Sequence, residues 1–357
     1  MAPLEWGLGH ATRCIPLINA LLAQNCKVFI GVEGAAKALL VQEFPQLTFL
    51  PLMGYRVQYS RKKFWLPVKL LLQFPKMIYS VYNEHRWLKK TIRHYSIDAV
   101  ISDNRLGLYT KLVPCIYITH QLAIKTGNRF TERVAQKIHY HFINKYNACW
   151  VPDAVGEINL AGELSHPVRL PKTPVQYIGP LSRFEKMPDE KIYDLAVIIS
   201  GPEPQRTFFE NLLLKELENY KQACLFVRGL PAGVQICKCK NVQVEIHDHL
   251  SAEELSKAIQ QSRLIISRSG YTTVMDLIKL QQKAILIPTP GQTEQEYLAE
   301  SLMAKKIFYC TKQKSFSLPE SLNGVADFSS SIPAINQDEY KTVIENFIMA
   351  LSPVIPE

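Results

Sequence analysis

The chain has 357 residues, 47% hydrophobic and 20% charged, and 41 Lys and Arg against 32 Asp and Glu give it a net charge of +9. That length and balance exclude a disordered chain and fit two globular domains better than one. No apolar run reaches the roughly 18–20 residues of a bilayer span, and no charged-then-apolar leader is present, so a cytoplasmic protein is expected.

The chain opens on Gly7-Leu8-Gly9-His10-Ala11-Thr12-Arg13. Two glycines allow close backbone approach, and His10 stands at the predicted start of a helix with a proton affinity near neutral. A strand should lead into this loop, but only Met1–Trp6 is available and Pro3 interrupts it. In a doubly wound sheet that strand is central, so the natural chain is expected to begin upstream of Met1.

Predicted strands follow at Cys26–Gly31, Ala99–Ser102, Cys115–Thr119, Cys149–Val151 and Val175–Ile178. A second set lies at Leu195–Ser200, Ala223–Val227, Val242–Ile246, Leu264–Ser267, Ala284–Pro288 and Ile307–Cys310. Most are rich in Val, Ile and Leu without in/out alternation, as expected of strands covered by helices on both faces. Helical stretches between them imply α/β architecture with parallel sheets and ligands at the strands' carboxyl ends.

Between the first two strands, residues 56–93 are basic, with Glu84 the only acid and aromatic and aliphatic residues interleaved. The segment reads either as an amphipathic surface resting on anionic lipid or as helices packed on the sheet with a solvated basic face. No nucleic-acid motif accompanies the charge. Further on, the proline-bearing stretch from Tyr177 to Pro188 reads as a connection between domains. The expected division is 1–179, 180–335 and a C-terminal helix in 336–357, which packs back towards the N-terminal domain. Capping boxes are expected at Ser251/Glu254 and Thr293/Glu296.

The eight cysteines are scattered, mostly in apolar stretches, and read as buried free thiols. Cys237 and Cys239 have no second pair at zinc spacing. His247/His249 and His139/His141 lack a third ligand at a recognised spacing, so no metal site is expected.

The strongest chemical signal lies downstream. The strand Leu264–Ser267 turns through Arg268-Ser269-Gly270 into a helix. Helix N-termini suit phosphate, and Ser269, Thr272 and Thr273 add hydroxyls. Asp276, one and a half turns in, suits a ribose diol. Read singly, Thr272 and Thr273 are caps and Asp276 a surface acid. The loop of Gln292, Glu294 and Gln295 follows another strand and suits sugar hydroxyls. Ser200, Gly201 and Arg206 leave a third strand and suit the pyrophosphate. In the N-terminal half, Asp103, Asn104, Arg105, His120 and Gln121 also follow strands. They read as acceptor-binding residues or as turn formers.

The Gly-Leu-Gly-His loop, the Arg268–Asp276 run and the Gln292–Gln295 loop together resemble the GT-B glycosyltransferases related to MurG. The resemblance spans nearly the whole chain and is most specific at Arg268–Asp276 and Pro288–Tyr297. It implies two Rossmann-like domains with parallel sheets facing across a cleft. The C-terminal domain would hold a UDP-sugar, and the N-terminal domain a lipid-linked or glycan acceptor. It further implies inversion at the anomeric carbon without metal or other cofactor. By position, Asp276 takes the place of the ribose-binding acid, and His247 that of a backbone contact to uracil. Gln295 falls in the sugar-reading pair. His10 matches the histidine of the glycine-rich loop, where Gly9 would approach the donor phosphates or the acceptor. The loop is shorter than the family's Gly-Gly-Thr-Gly-Gly-His, and Ser200–Arg206 replaces a Gly-Ser-Gln-Gly-Ala run.

The expected reaction is transfer of an N-acetylhexosamine or hexose to an acceptor hydroxyl, with His10 as base and Asp103 as second choice. Arg268 or Arg206 would stabilise the departing pyrophosphate. The expected location is cytoplasmic, peripheral on the inner face of the membrane. The alternative is a nucleotide-sugar hydrolase in which His10 activates water. A non-catalytic sugar-nucleotide or lipid-binding protein and a nucleotide-sugar epimerase rank lower.

Overall fold

A computed structural model describes residues 1–5, 7–55, 66–187, 190–230 and 239–351, with side chains of 66–75 left aside. The chain divides into two compact units, Met1–Leu181 with Asn336–Glu357, and Ser182–Ile335.

The first unit contains β1 (Ala2–Pro3), α1 (Leu8–Ala23), β2 (Phe29–Gly31), α2 (Gly34–Glu43), β3 (Thr48–Leu50) and α3 (Leu66–Tyr95). It continues with β4 (Val100–Asp103), β5 (Cys115–Ile118), α4 (Arg129–Ile143), β6 (Ala148–Val151) and β7 (Val175–Tyr177). All pairings are parallel, in the order β1-β4-β5-β6-β7, with β2-β3 beside them. Gly31 N donates to Met1 O at 2.9 Å and so carries β2 onto the start of β1. Strand order therefore runs outward from β1 to β3 on one side and from β4 to β7 on the other. The order reverses at β1/β4, where doubly wound sheets open a crevice at the strands' carboxyl ends.

β1 has only two residues, yet it is central, as the loop's position requires. Leu4 N donates to Asp103 O at 2.9 Å and extends the pairing past Pro3. β2 is shorter than the apolar run from Cys26, and β3 is a strand that periodicity alone did not reveal. The core wraps this sheet with Leu88, Ile92, Val100, Leu108, Tyr117, Cys149 and Val151.

The second unit contains β8 (Tyr193–Ile198), α5 (Gln205–Glu216), β9 (Cys224–Val227), β10 (Val244–His247), α6 (Ala252–Gln260) and β11 (Ser262–Ser267). α7 (Tyr271–Lys279), β12 (Ala284–Leu286), α8 (Thr293–Ala304), β13 (Tyr309–Cys310) and α9 (Leu318–Asp327) complete it. Its sheet is parallel, in the order β10-β9-β8-β11-β12-β13, and reverses at β8/β11. Leu195, Ala196, Val197, Ile265 and Ile266 are buried on both faces, which explains their unalternating sequence. α10 (Glu339–Leu351) returns to the first unit, where Phe347 meets Trp150 edge-on at 5.4 Å.

Ser251 and Glu254 form the expected capping box of α6. Thr293 and Glu296 do not form one. α8 begins one residue earlier, with Gln292 as N-cap, and Glu296 accepts instead from Gly291 N at 2.9 Å.

Candidate active site

In the first unit, Gly7 has φ +85°, a backbone conformation that favours glycine, and turns β1 directly into α1. This turn sets His10 in the first turn of α1, at the β1/β4 switch point. Asp103, the last residue of β4, meets it there. His10 Nδ1 lies 3.0 Å from Asp103 Oδ2. Arg13, one turn further along α1, donates Nε–H to both Asp103 oxygens at 3.0 Å and pairs through Nη2 with Oδ1. Its Nη2 also lies 2.8 Å from His10 Nδ1, and its Nη1 lies 3.0 Å from His120 Nδ1. Among the described residues His10 Nε2 has no hydrogen-bond partner, and the side chain keeps 14% of its surface exposed.

Asp103 is fully buried. Burial alone would push its carboxyl up, but the Arg13 charge and then His10 outweigh it and hold it down at about 2. A carboxylate so committed is a poor proton acceptor. Its geometry suits orienting His10, which corrects the expectation of Asp103 as a second base. His10 itself is shifted below the ordinary histidine value of 6.5, first by burial and then by the Arg13 charge, with Asp103 opposing.

The acceptor candidates separate. Asn104 (φ +59°) and Gln121 are half-buried beside this cluster, and Tyr117 Oη donates to Asn104 Oδ1 at 2.9 Å. His120 is buried against Arg13. Arg105 has no exposed surface and is withdrawn from the acceptor set. It donates to Pro3 O at 2.8 Å, Met53 O at 3.0 Å and Glu84 Oε1 at 2.8 Å. These bonds hold the guanidinium in the core; its Nη2 has no partner among the described residues, but with no exposed surface it does not reach a substrate.

In the second unit, loops after β8, β10, β11 and β12 end on the same edge of the parallel sheet. α7 starts at Gly270 without a side-chain cap. Thr272 and Thr273 are half-buried in its first turn, and Ser200 and Gly201 are exposed after β8. Ser269 is buried and donates to Gln295 O at 2.9 Å, while Gln295 Oε1 accepts from Thr289 N at 2.8 Å. Gln295 thus braces the loop from within, leaving Gln292 and Glu294 half-buried on its outer side.

Both arginines expected at the pyrophosphate point inward instead. Arg206 pairs with Glu203 and Glu210 and donates to Arg228 O at 3.1 Å. Arg268 is 1% exposed, stacks 3.7 Å above the Phe209 ring and donates to the carbonyls of Ile287, Pro288 and Gln205. It ties the loops after β8, β11 and β12 together from beneath. Burial lowers its pKa to about 9.

Asp276 accepts a hydrogen bond from Ser182 Oγ at 2.6 Å. Burial raises its carboxyl to about 6, against the opposing effects of Ser182 and Arg183. His247 lies at the end of β10. Its Nε2 is 2.7 Å from Glu245 Oε1, and its main-chain oxygen accepts from Arg228 N at 2.9 Å.

Three contributors escape sequence reasoning: Arg13, Ser182 and the Glu210–Arg228–Asp248 chain that fixes the loop after β10. Only Arg13 left a signal, its i+3 spacing from His10 on one helix face.

Residues 235–342 match the glycosyltransferase family 28 C-terminal domain. Over 124 residues the chain is 27% identical to the UDP-N-acetylglucosamine–N-acetylmuramyl-(pentapeptide) pyrophosphoryl-undecaprenol N-acetylglucosamine transferase of Thermosipho africanus. That alignment covers 34% of this chain and 36% of the relative, so the chain spans only about a third of the relative's length. Among solved structures, the calicheamicin glycosyltransferase CalG4 superposes with a TM-score of 0.67 at 11% identity, covering 99% of this chain and 98% of that one. Acinetobacter baumannii MurG superposes with a TM-score of 0.56 at 13% identity, covering 98% of each. The fold is GT-B, with two Rossmann-like domains. The chain resembles the MurG-like glycosyltransferases, most clearly in its second unit.

Proposed function

We propose that the protein is an inverting, metal-independent glycosyltransferase that moves a sugar from a UDP-sugar to a hydroxyl of a lipid-linked or cell-envelope acceptor. The observation that carries this reading is His10, whose Nδ1 faces a buried carboxylate while Nε2 has no partner among the described residues. The acceptor oxygen attacks the anomeric carbon as its bond to the UDP oxygen breaks. The hydroxyl proton passes to His10 Nε2, and UDP leaves with the electron pair. The uncapped start of α7, with Thr272 and Thr273, receives the pyrophosphate, and Asp276 the ribose diol. Arg206 and Arg268 act beneath the site by fixing its loops.

A thermal-shift panel of UDP-, GDP-, CMP- and TDP-sugars tests the donor. The expected result is a rise with UDP-sugars alone; a selective rise with another nucleotide overturns the UDP assignment.

The reading extends to the membrane. Residues 56–65 of the basic segment lie outside the described residues, as do the side chains of 66–75. From Lys76 onward α3 buries Val81, Glu84, Leu88 and Ile92 and exposes Ile78, Tyr79, Tyr82, Arg86, Lys89, Lys90 and Arg93. Glu84 turns inward to Arg105, so the outer face is basic and aromatic. No helix among the described residues is long and apolar enough to cross a membrane. We propose peripheral docking of this face on anionic lipid at the cytoplasmic side. Lys89→Glu with Lys90→Glu should weaken sedimentation with phosphatidylglycerol vesicles by about fivefold or more per charge removed. Equal binding to phosphatidylcholine vesicles would contradict it.

A further inference from the structure

Arg13 has no place in the reaction as described, yet its side chain is heavily engaged at the β1/β4 switch point. It is 2% exposed and contacts Asp103, His10 and His120 at once. A guanidinium only donates hydrogen bonds. His10 Nδ1 therefore faces two partners with opposite demands. Asp103 Oδ2, at 3.0 Å, calls for a proton on Nδ1 and so leaves the Nε2 lone pair open. Arg13 Nη2, at 2.8 Å, repels a proton there and repels the doubly protonated ring altogether.

We propose that Arg13 is a positioning residue that keeps His10 in its neutral, proton-accepting form. It does so by claiming Asp103 as its own counter-ion and by placing a fixed positive charge against the imidazole. Without Arg13, the buried Asp103 carboxylate would have only His10 to neutralise it. The pair would settle as imidazolium and carboxylate, and a protonated His10 cannot accept an acceptor's proton. Arg13 thus limits how strongly Asp103 can hold a proton on His10. The groups facing His10 are Arg13 on its own helix, Asp103 at the end of β4 and His120 after β5; Cys14 approaches Asp103 at 3.7 Å. Of these, Asp103 alone favours the charged ring. This inference rests on His10 being the base, but the ionisation it assigns can be read without any turnover.

The test is a titration of His10 by NMR in protein labelled with 13C at histidine, the resonance being assigned by its loss in His10→Gln. In the wild type, His10 is expected to titrate below the ordinary 6.5. In Arg13→Gln the midpoint should rise by about one pH unit or more. In Arg13→Lys, which keeps a cation in place, it should return towards the wild-type value. If transfer activity is established, the acid limb of its kcat/KM profile should move up with the NMR midpoint. A His10 midpoint unchanged in Arg13→Gln overturns the proposal, even if activity falls, because Arg13 would then only hold the fold. Should Arg13→Gln not fold, a wild-type midpoint at or above 6.5 overturns it alone, and Arg13→Lys still reports the effect of moving the charge. Failure to find glycosyl transfer would remove the proposed function but leave the titration result standing.

Discussion

The two units share a topology, and each gathers polar side chains at its switch point, but the acids found there are shifted in opposite directions. Asp103 is held at about 2 because Arg13 and His10 outweigh its burial, whereas Asp276 is raised to about 6 because burial outweighs Ser182 and Arg183. The first carboxylate is committed to internal cations. The second is desolvated against a neutral hydroxyl, a partner that a ribose diol resembles. One fold thus holds a carboxylate committed to internal cations in one unit and a desolvated carboxylate bonded to a hydroxyl in the other.

The largest expected effect is at the base. His10→Ala should lower turnover by about two to four orders of magnitude while leaving UDP binding intact, measured by initial rates and calorimetry. Loss of UDP affinity there would blur the division between the units.

Asp103→Asn should act on stability as well as rate, because it leaves the buried Arg13 without its carboxylate. A loss of about 3–5 kcal/mol by denaturant unfolding is expected, with turnover falling less than in His10→Ala. The pH dependence differs between the two acids. Asp103, depressed in the folded state, contributes stability above about pH 4 that is lost as pH falls towards 2. Asp276, raised in the folded state, contributes stability below about pH 4 that is lost as pH rises through 6.

Asp276→Ala should weaken UDP-sugar binding by about tenfold to a hundredfold, as for lost hydrogen bonds to a charged group. Wild-type affinity should climb between pH 4 and 7 as Asp276 ionises, and this climb should vanish in the variant. The smallest effect belongs to Ser182→Ala. Removing the hydroxyl that occupies Asp276 should raise donor affinity by about threefold or less; a large loss would make Ser182 part of the donor site itself.

Much of this was legible in the sequence. Unalternating Val, Ile and Leu runs marked strands buried on both faces, and glycine and polar residues at their ends marked the loops. His10 and Asp276 stand out because each follows such a loop. The ion pairs were not legible. Arg105 finds Glu84, and Arg228 finds Asp248, across separations that no spacing rule spans. A basic residue in a strand-end loop reads the same whether it points at a phosphate or into the core. For this reason Arg206 and Arg268 read as pyrophosphate ligands in the sequence, whereas both bond inward to protein groups. The capping box at Thr293 failed for a local reason: Gln292 takes the N-cap position, so the spacing matched but the helix began one residue early.

If His10 serves the hydroxyl of an acceptor, sugar must leave the donor only when that acceptor is present. The most direct measurement follows a radiolabelled UDP-sugar with and without a lipid extract of bacterial membranes as acceptor. Label is expected to move into the lipid fraction, with UDP release dependent on the added acceptor. Release of free sugar at the same rate without acceptor, and none in His10→Ala, would contradict it and make water the nucleophile.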